Sequence, residues 1–353
     1  MTSNNSQIMS NKDIHGAYYN RVMSKEFVDL MKTQYQWLIT FVKRTPELDF
    51  QTGYDQKANK SWFSVYRGTS RILKFTYNGN SKKTNPIEKV TIDADPSYKH
   101  HAPQIFEEHR LDEKILAEYL SAVNKDTAYD SYYIDSKEEK KEGYYQTRIA
   151  RRYTFENKQE DEFVIFDKEL VIGFIDSNYR DEWNEKYVLN EQNAALEKFK
   201  NEAKIKLKKP LPLKINTDFG EFDFMGIDWK GNLIIMELKS EDKKGLSPIQ
   251  VACYDKQFKR LLQEDSDNHL YKTIIGMIEQ KIDMGLINLP KGRSLPTSLT
   301  RKIKKYIIIG NEENVSPEIS NRFALAKEVF LGKDLEVYTC TADGTLVQSE
   351  KFK

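Results

Sequence analysis

The chain has 353 residues, enough for two domains of ordinary size. Its 55 Lys and Arg against 54 Asp and Glu leave a formal net charge of +1, which excludes bulk attraction to nucleic acid or membrane and leaves such binding to local clusters. Two cysteines, Cys253 and Cys340, exclude a disulfide framework, and no apolar run has the length of a membrane span, so a cytoplasmic protein without a membrane partner is expected.

The opening stretch MTSNNSQIMSNKD is polar and lacks the apolar core of a signal peptide. Phe27, Leu30, Met31, Trp37, Leu38 and Phe41 recur at helical spacing and predict one helix over 24–44. From Trp62 to Ile92 the pattern turns to strands, with Asn78-Gly79-Asn80 and Asp93–Pro96 as turns. Arg67, Arg71 and Lys74 on these strands have two readings: a phosphate-facing patch, or charged strand edges that resist aggregation. His100, His101 and His109, near Glu107 and Glu108, match no zinc-site spacing. Residues 111–123 predict a short amphipathic helix and 136–143 a solvated charged loop. Phe163–Ile175 reads as two strands around Asp167-Lys168, a turn that would leave Asp167 and Glu169 at the surface. These elements predict an N-terminal α+β domain over 1–185, and the remainder a second domain over 186–353.

The second domain opens with a helix over 190–207, apolar along Ala195, Leu196, Phe199, Ala203 and Leu207. Lys204, Lys206, Lys208 and Lys209 follow, suited to a helix C-terminus and to phosphate contact. Leu211–Asn216 predicts a strand ahead of a hairpin, Phe222–Ile227 and Leu233–Lys239, turned at Trp229-Lys230-Gly231. With Gly231 at a left-handed position and Asp228 paired to Asn232, the register sets Asp223 opposite Glu237. Period-two alternation puts Lys239 on the face of Glu237. Two carboxylates this close repel unless something positive lies between them, and hard oxygen donors suit Mg²⁺ or Mn²⁺. Lys239 would orient or deprotonate a water, or stabilise developing negative charge. On the next helix Gln250 and Tyr254 share a face, and Gln250 directed at Glu237 would help hold that water. The competing reading of Asp223, Glu237 and Lys239 is a structural ion pair.

Asp223, then Glu237-Leu238-Lys239, then Gln250 with Tyr254, resembles the signature of the PD-(D/E)XK nuclease superfamily. Within it the pattern is similar to NucS-type endonucleases and to the nuclease domain of Shedu-type phage-defence proteins, over roughly residues 187–345. Asp223 follows Phe222 rather than the superfamily's common proline. The resemblance implies an α/β fold: a restriction-endonuclease-like domain with a mixed central sheet flanked by helices, behind the α+β domain. It implies metal held by Asp223, Glu237 and the Leu238 carbonyl, catalysis by Asp223, Glu237, Lys239 and Gln250, and a supporting position for Tyr254. The first core helix often donates a further acid in that superfamily, and Glu191 and Glu197 are the candidates. The implied activity is Mg²⁺-dependent hydrolysis of DNA in restriction or phage defence, with DNA as partner. The chain is expected to be a homo-oligomer, with specificity, regulation or oligomer contacts in the N-terminal domain. The alternative is a catalytically inactive nuclease-fold protein acting as a nucleic-acid-binding or scaffold component.

Residues 266–300 read as an insertion, a helix over 269–284 followed by a long Gly/Pro/Ser-rich loop. Strand 305–310, helix 318–331 and strand 335–341 then suit the late part of a nuclease core.

Overall fold

The computed structural model describes residues 16–95, 98–101, 112–125, 140–207, 222–240, 245–265, 268–310 and 312–352. These divide into two units, both mixing helices with sheets. One holds Asn20–Asp161 with Lys272–Gly292; the other holds 16–19, Glu162–Tyr271 and Arg293–Lys353. The division at 161/162 precedes the sequence boundary at 185/186. The expected insertion is itself divided, because 272–292 packs with the first unit. The expected strand at 211–216 and the residues Glu107, Glu108 and His109 lie outside the described residues.

The first unit is built on an antiparallel meander, β1 (Asp49–Asp55), β2 (Lys60–Arg67), β3 (Ser70–Asn78) and β4 (Val90–Asp93). Phe63, Val65, Leu73, Phe75 and Tyr77 alternate along β2 and β3 and bury one face. Against it pack α1 (Lys25–Lys32) through Phe27 and Met31, α2 (Gln36–Arg44) through Leu38 and Val42, and α3 (Glu113–Lys125) through Leu116 and Tyr119. The single helix expected over 24–44 is two. The Thr33 hydroxyl donates to the Asp29 carbonyl at 2.8 Å, and Tyr35 N reaches back to Leu30 O, closing the first helix. Met284 and Leu286 enter the same core, and Gln280 exchanges two hydrogen bonds, 2.9 and 2.8 Å, with the Met23 main chain. A fourth helix, α4 (Glu142–Arg152), packs on β1 and β2. At its end Arg152 and Asp161 form a buried bidentate pair.

The second unit is organised by a mixed six-stranded sheet. Its strands are β5 (Phe163–Leu170), β6 (Phe222–Asp228), β7 (Leu233–Lys239), β8 (Ile303–Ile309), β9 (Leu335–Cys340) and β10 (Leu346–Gln348), neighbours in that order. β7, β8 and β9 are parallel; the remaining pairs are antiparallel. The parallel strands read as apolar runs, LIIMELK and KKYIII, as strands covered on both faces do. After the short helix α5 (Ser177–Asn184) and one π turn come α6 (Asn190–Lys206) and α7 (Ser247–Glu264), and α8 (Pro317–Phe330) connects β8 to β9. Val251 of α7 and Phe323 of α8 share a core with Ile307, Ile309 and Val337.

The turn expected at Asp167-Lys168 does not form: β5 runs unbroken to Leu170 and is antiparallel to β6. Asp167 is 3% exposed, not at the surface, and its charge is met by the Tyr19 hydroxyl at 2.6 Å. Among the described residues no helix is long and apolar enough to cross a membrane.

Candidate active site

The hairpin forms in the register that its turn residues predict. Phe224 pairs with Met236 and Ile227 with Leu233, so one further step sets Asp223 against Glu237. Gly231 has φ +85°, and an added Cβ there would run into the Ser298 carbonyl, so both conformation and space require glycine. Asp228 ties the turn, accepting from Lys230 N and Asn232 N at 2.9 Å and from Asn232 Nδ2 at 2.7 Å.

Asp223, Glu237, Leu238 and Lys239 converge as expected. Lys239 Nζ lies 2.6 Å from Glu237 Oε1, and Glu237 is 2% exposed. Leu238 N donates to Asp223 Oδ2 at 2.7 Å. Asp223 is half-buried as a residue, and burial is the first cause acting on its carboxyl.

Two acids of β6 show opposite electrostatics. Burial tends to raise Asp228, but bonds from Asn232 and Lys304 prevail and hold its carboxyl below the usual range. Burial raises Asp223; the Lys239 charge and the Leu238 N–H pull it back, and the Glu169 charge pushes it up again. Asp228 is thus a satisfied turn acid, whereas ionised Asp223 is short of positive charge.

Replacing Asp223 with Asn tests this without catalysis. A carboxyl raised in the folded state binds more protons folded than unfolded, so its stability cost grows as pH rises from the unfolded value, about 3.9, through the folded one. Asp223→Asn in EDTA is expected to be more stable at pH 7–8 by about 1 kcal/mol or more, roughly 2–4 °C in Tm. The gain should vanish near pH 4. An equal or lower Tm across that range would contradict the assignment.

Sequence reasoning missed Glu169. Lys168 pairs with Phe224 and Leu170 with Phe222, so Glu169 stands level with Asp223 on the opposite side from Glu237. Its φ is +48°, a left-handed conformation that costs a non-glycine residue roughly 1–2 kcal/mol. No local sequence signal identifies it, because the row across β5, β6 and β7 exists only once β5 joins the sheet.

The other expected residues lie on α6 and α7. Gln250 is exposed. Tyr254 is buried, its ring 4.8 Å from that of Phe222. Glu197 is exposed and pairs with Lys200 at 2.6 Å. Glu191 belongs to α6, and its side chain lies outside the described residues. Burial pushes the Cys253 thiol up to about 11, consistent with packing rather than reactivity.

Among the described residues no three His, Cys, Asp or Glu side chains group closely enough to hold a metal ion. With two carboxylates and the Leu238 carbonyl, the expected donor set falls short of such a group. Mg²⁺ accepts such sets, since it keeps several waters and uses one or two carboxylates. The raised Asp223 fits that donor chemistry. Compared with known proteins, the chain matches no family model, no curated protein and no solved structure.

Proposed function

We propose that the chain is a metal-dependent DNA nuclease of the PD-(D/E)XK type, acting in restriction or phage defence. The observation that carries this reading is the facing of Asp223 and Glu237 across one hairpin, with Lys239 2.6 Å from Glu237. A purely structural ion pair would need one acid for one lysine. Here a second acid faces the pair and a third, Glu169, is near enough for its charge to raise Asp223.

Asp223, Glu237 and the Leu238 carbonyl would hold Mg²⁺ or Mn²⁺. When bound, the cation would polarise the scissile phosphate and lower the pKa of a water. Lys239, 12% exposed at its side chain, would orient that water and offset negative charge building on the phosphate. Glu169, whose charge raises Asp223, would act on the metal only through Asp223. Glu169→Gln is expected to raise the Mg²⁺ concentration for half-maximal cleavage about 10–100-fold; an unchanged Mg²⁺ titration would remove Glu169 from the site.

The deciding assay incubates the full chain with linear, circular, single-stranded and mismatched DNA in Mg²⁺, Mn²⁺ or EDTA. Metal-dependent cleavage of at least one substrate is expected. Failure on all of them would favour a nuclease fold that binds without cutting.

A further inference from the structure

The first unit carries a cationic surface of its own. Along β3 Leu73, Phe75 and Tyr77 are buried, while Lys74, Thr76 and Asn78 are half-exposed on the opposite face. Arg71, an odd number of residues from Lys74, would face the core side in a regular strand. A bulge prevents this. Val65 pairs with Leu73 but Tyr66 with Arg71, so Ile72 is an extra residue and Arg71 is returned to the Lys74 face.

Trp62 of β2 lies on that face opposite Gly53, where an added Cβ would come within 2.5 Å of the indole. Arg21 and Lys74 sit over its ring, at 5.7 and 5.3 Å from the centroid. Arg71 Nε is buried and makes no hydrogen bond among the described residues. Asp93 stands opposite Lys74 on β4, but its carboxylate is held by Lys99 at 2.7 Å. Lys74 is lowered by burial and then by Arg71; Asp55 and Asp93 oppose this, and Lys60 adds to it. Cations gathered by a bulge and an indole, with Asp55 and Asp93 offsetting them only in part, make a surface suited to a polyanion.

We propose that Arg71 and Lys74 bind the phosphate backbone of DNA, a docking surface that needs no metal. The choice of DNA among polyanions rests on the nuclease reading; the surface itself does not. Because the Trp62 ring carries cations, it is not a platform for base stacking, and the contact should be independent of sequence.

Fluorescence anisotropy of labelled duplexes of two unrelated sequences, in EDTA and in a Glu237→Gln background, tests this across a salt series. The full chain is expected to bind both alike. Arg71→Gln/Lys74→Gln should weaken binding roughly tenfold and lower the slope of log affinity against log salt by about two. Arg71→Lys/Lys74→Arg should retain both affinity and slope. If the double Gln variant does not fold, Lys74→Gln alone decides, with a slope change of about one. No DNA binding by the parent chain, or unchanged affinity and slope in the Gln variants, overturns the proposal. The assay requires no cleavage, so unchanged binding by the Gln variants leaves the hydrolytic reading intact, and the failure of cleavage leaves this result intact.

Discussion

Glu237→Gln is expected to lower metal-dependent DNA cleavage by at least about a thousandfold, or roughly 4 kcal/mol in barrier. The substitution keeps the shape of a side chain that is 2% exposed, so the fold should persist. It removes the charge that would grip the cation and the partner that Lys239 meets at 2.6 Å. Lys239→Ala should cost about 10²–10⁴, the range for losing a positioned proton-transfer or charge-stabilising group. DNA affinity in EDTA should survive both changes. Single-turnover cleavage with each variant in excess over DNA separates these effects from slow product release. Cleavage by Glu237→Gln within tenfold of the parent would remove this hairpin from the chemistry.

Asp161→Ala is expected to produce the largest stability loss, about 3–5 kcal/mol. Arg152 and Asp161 meet through two hydrogen bonds with side chains 3% and 5% exposed, and Lys158 N also donates to Asp161 at 2.6 Å. Removing the acid leaves a buried guanidinium with only the exposed Glu160, 3.8 Å away, to meet it. A domain stable by only about 5–15 kcal/mol loses a large share of that margin. At roughly 2–4 °C per kcal/mol the melting point should drop by about 10 °C. Replacing both partners, Arg152→Met with Asp161→Leu, should recover much of the loss because no charge is left unpaired. A loss below about 1 kcal/mol for Asp161→Ala would mean that water reaches the arginine.

The two effects differ in kind. The Arg152–Asp161 pair is closed, with each charge met by its partner. The hairpin site is not: burial and the Glu169 charge raise Asp223, and the Lys239 charge, the Leu238 N–H and a hydrogen bond with Glu237 offset this only in part. Stability is given up where charge is left unsatisfied, a usual cost of a site that must receive a cation or substrate.

The hairpin could be read from sequence because its determinants are local. A glycine suited to φ +85° sets the turn, Asp228 ties it, and alternation then assigns Glu237 and Lys239 to one face. The strand–helix–strand return, 303–309, 317–330 and 335–340, was legible for the same reason. For Gln250 spacing settles only the helix face. Position four before Tyr254 predicts a shared face, yet whether that face meets the sheet or solvent depends on how α7 packs, and Gln250 is exposed while Tyr254 is buried.

Local pattern thus determined by itself the hairpin register, the pairing of Asp223 with Glu237 and the late strand–helix–strand unit, since turns and alternation act over a few residues. Only the tertiary structure decided that β5 lies beside β6, bringing Glu169 level with Asp223, and that 272–292 packs in the first unit's core. It also decided that Ile72 bulges and turns Arg71 toward Lys74. Each of these depends on contacts between segments distant in the chain or on strand register, and one-dimensional spacing carries no term for either.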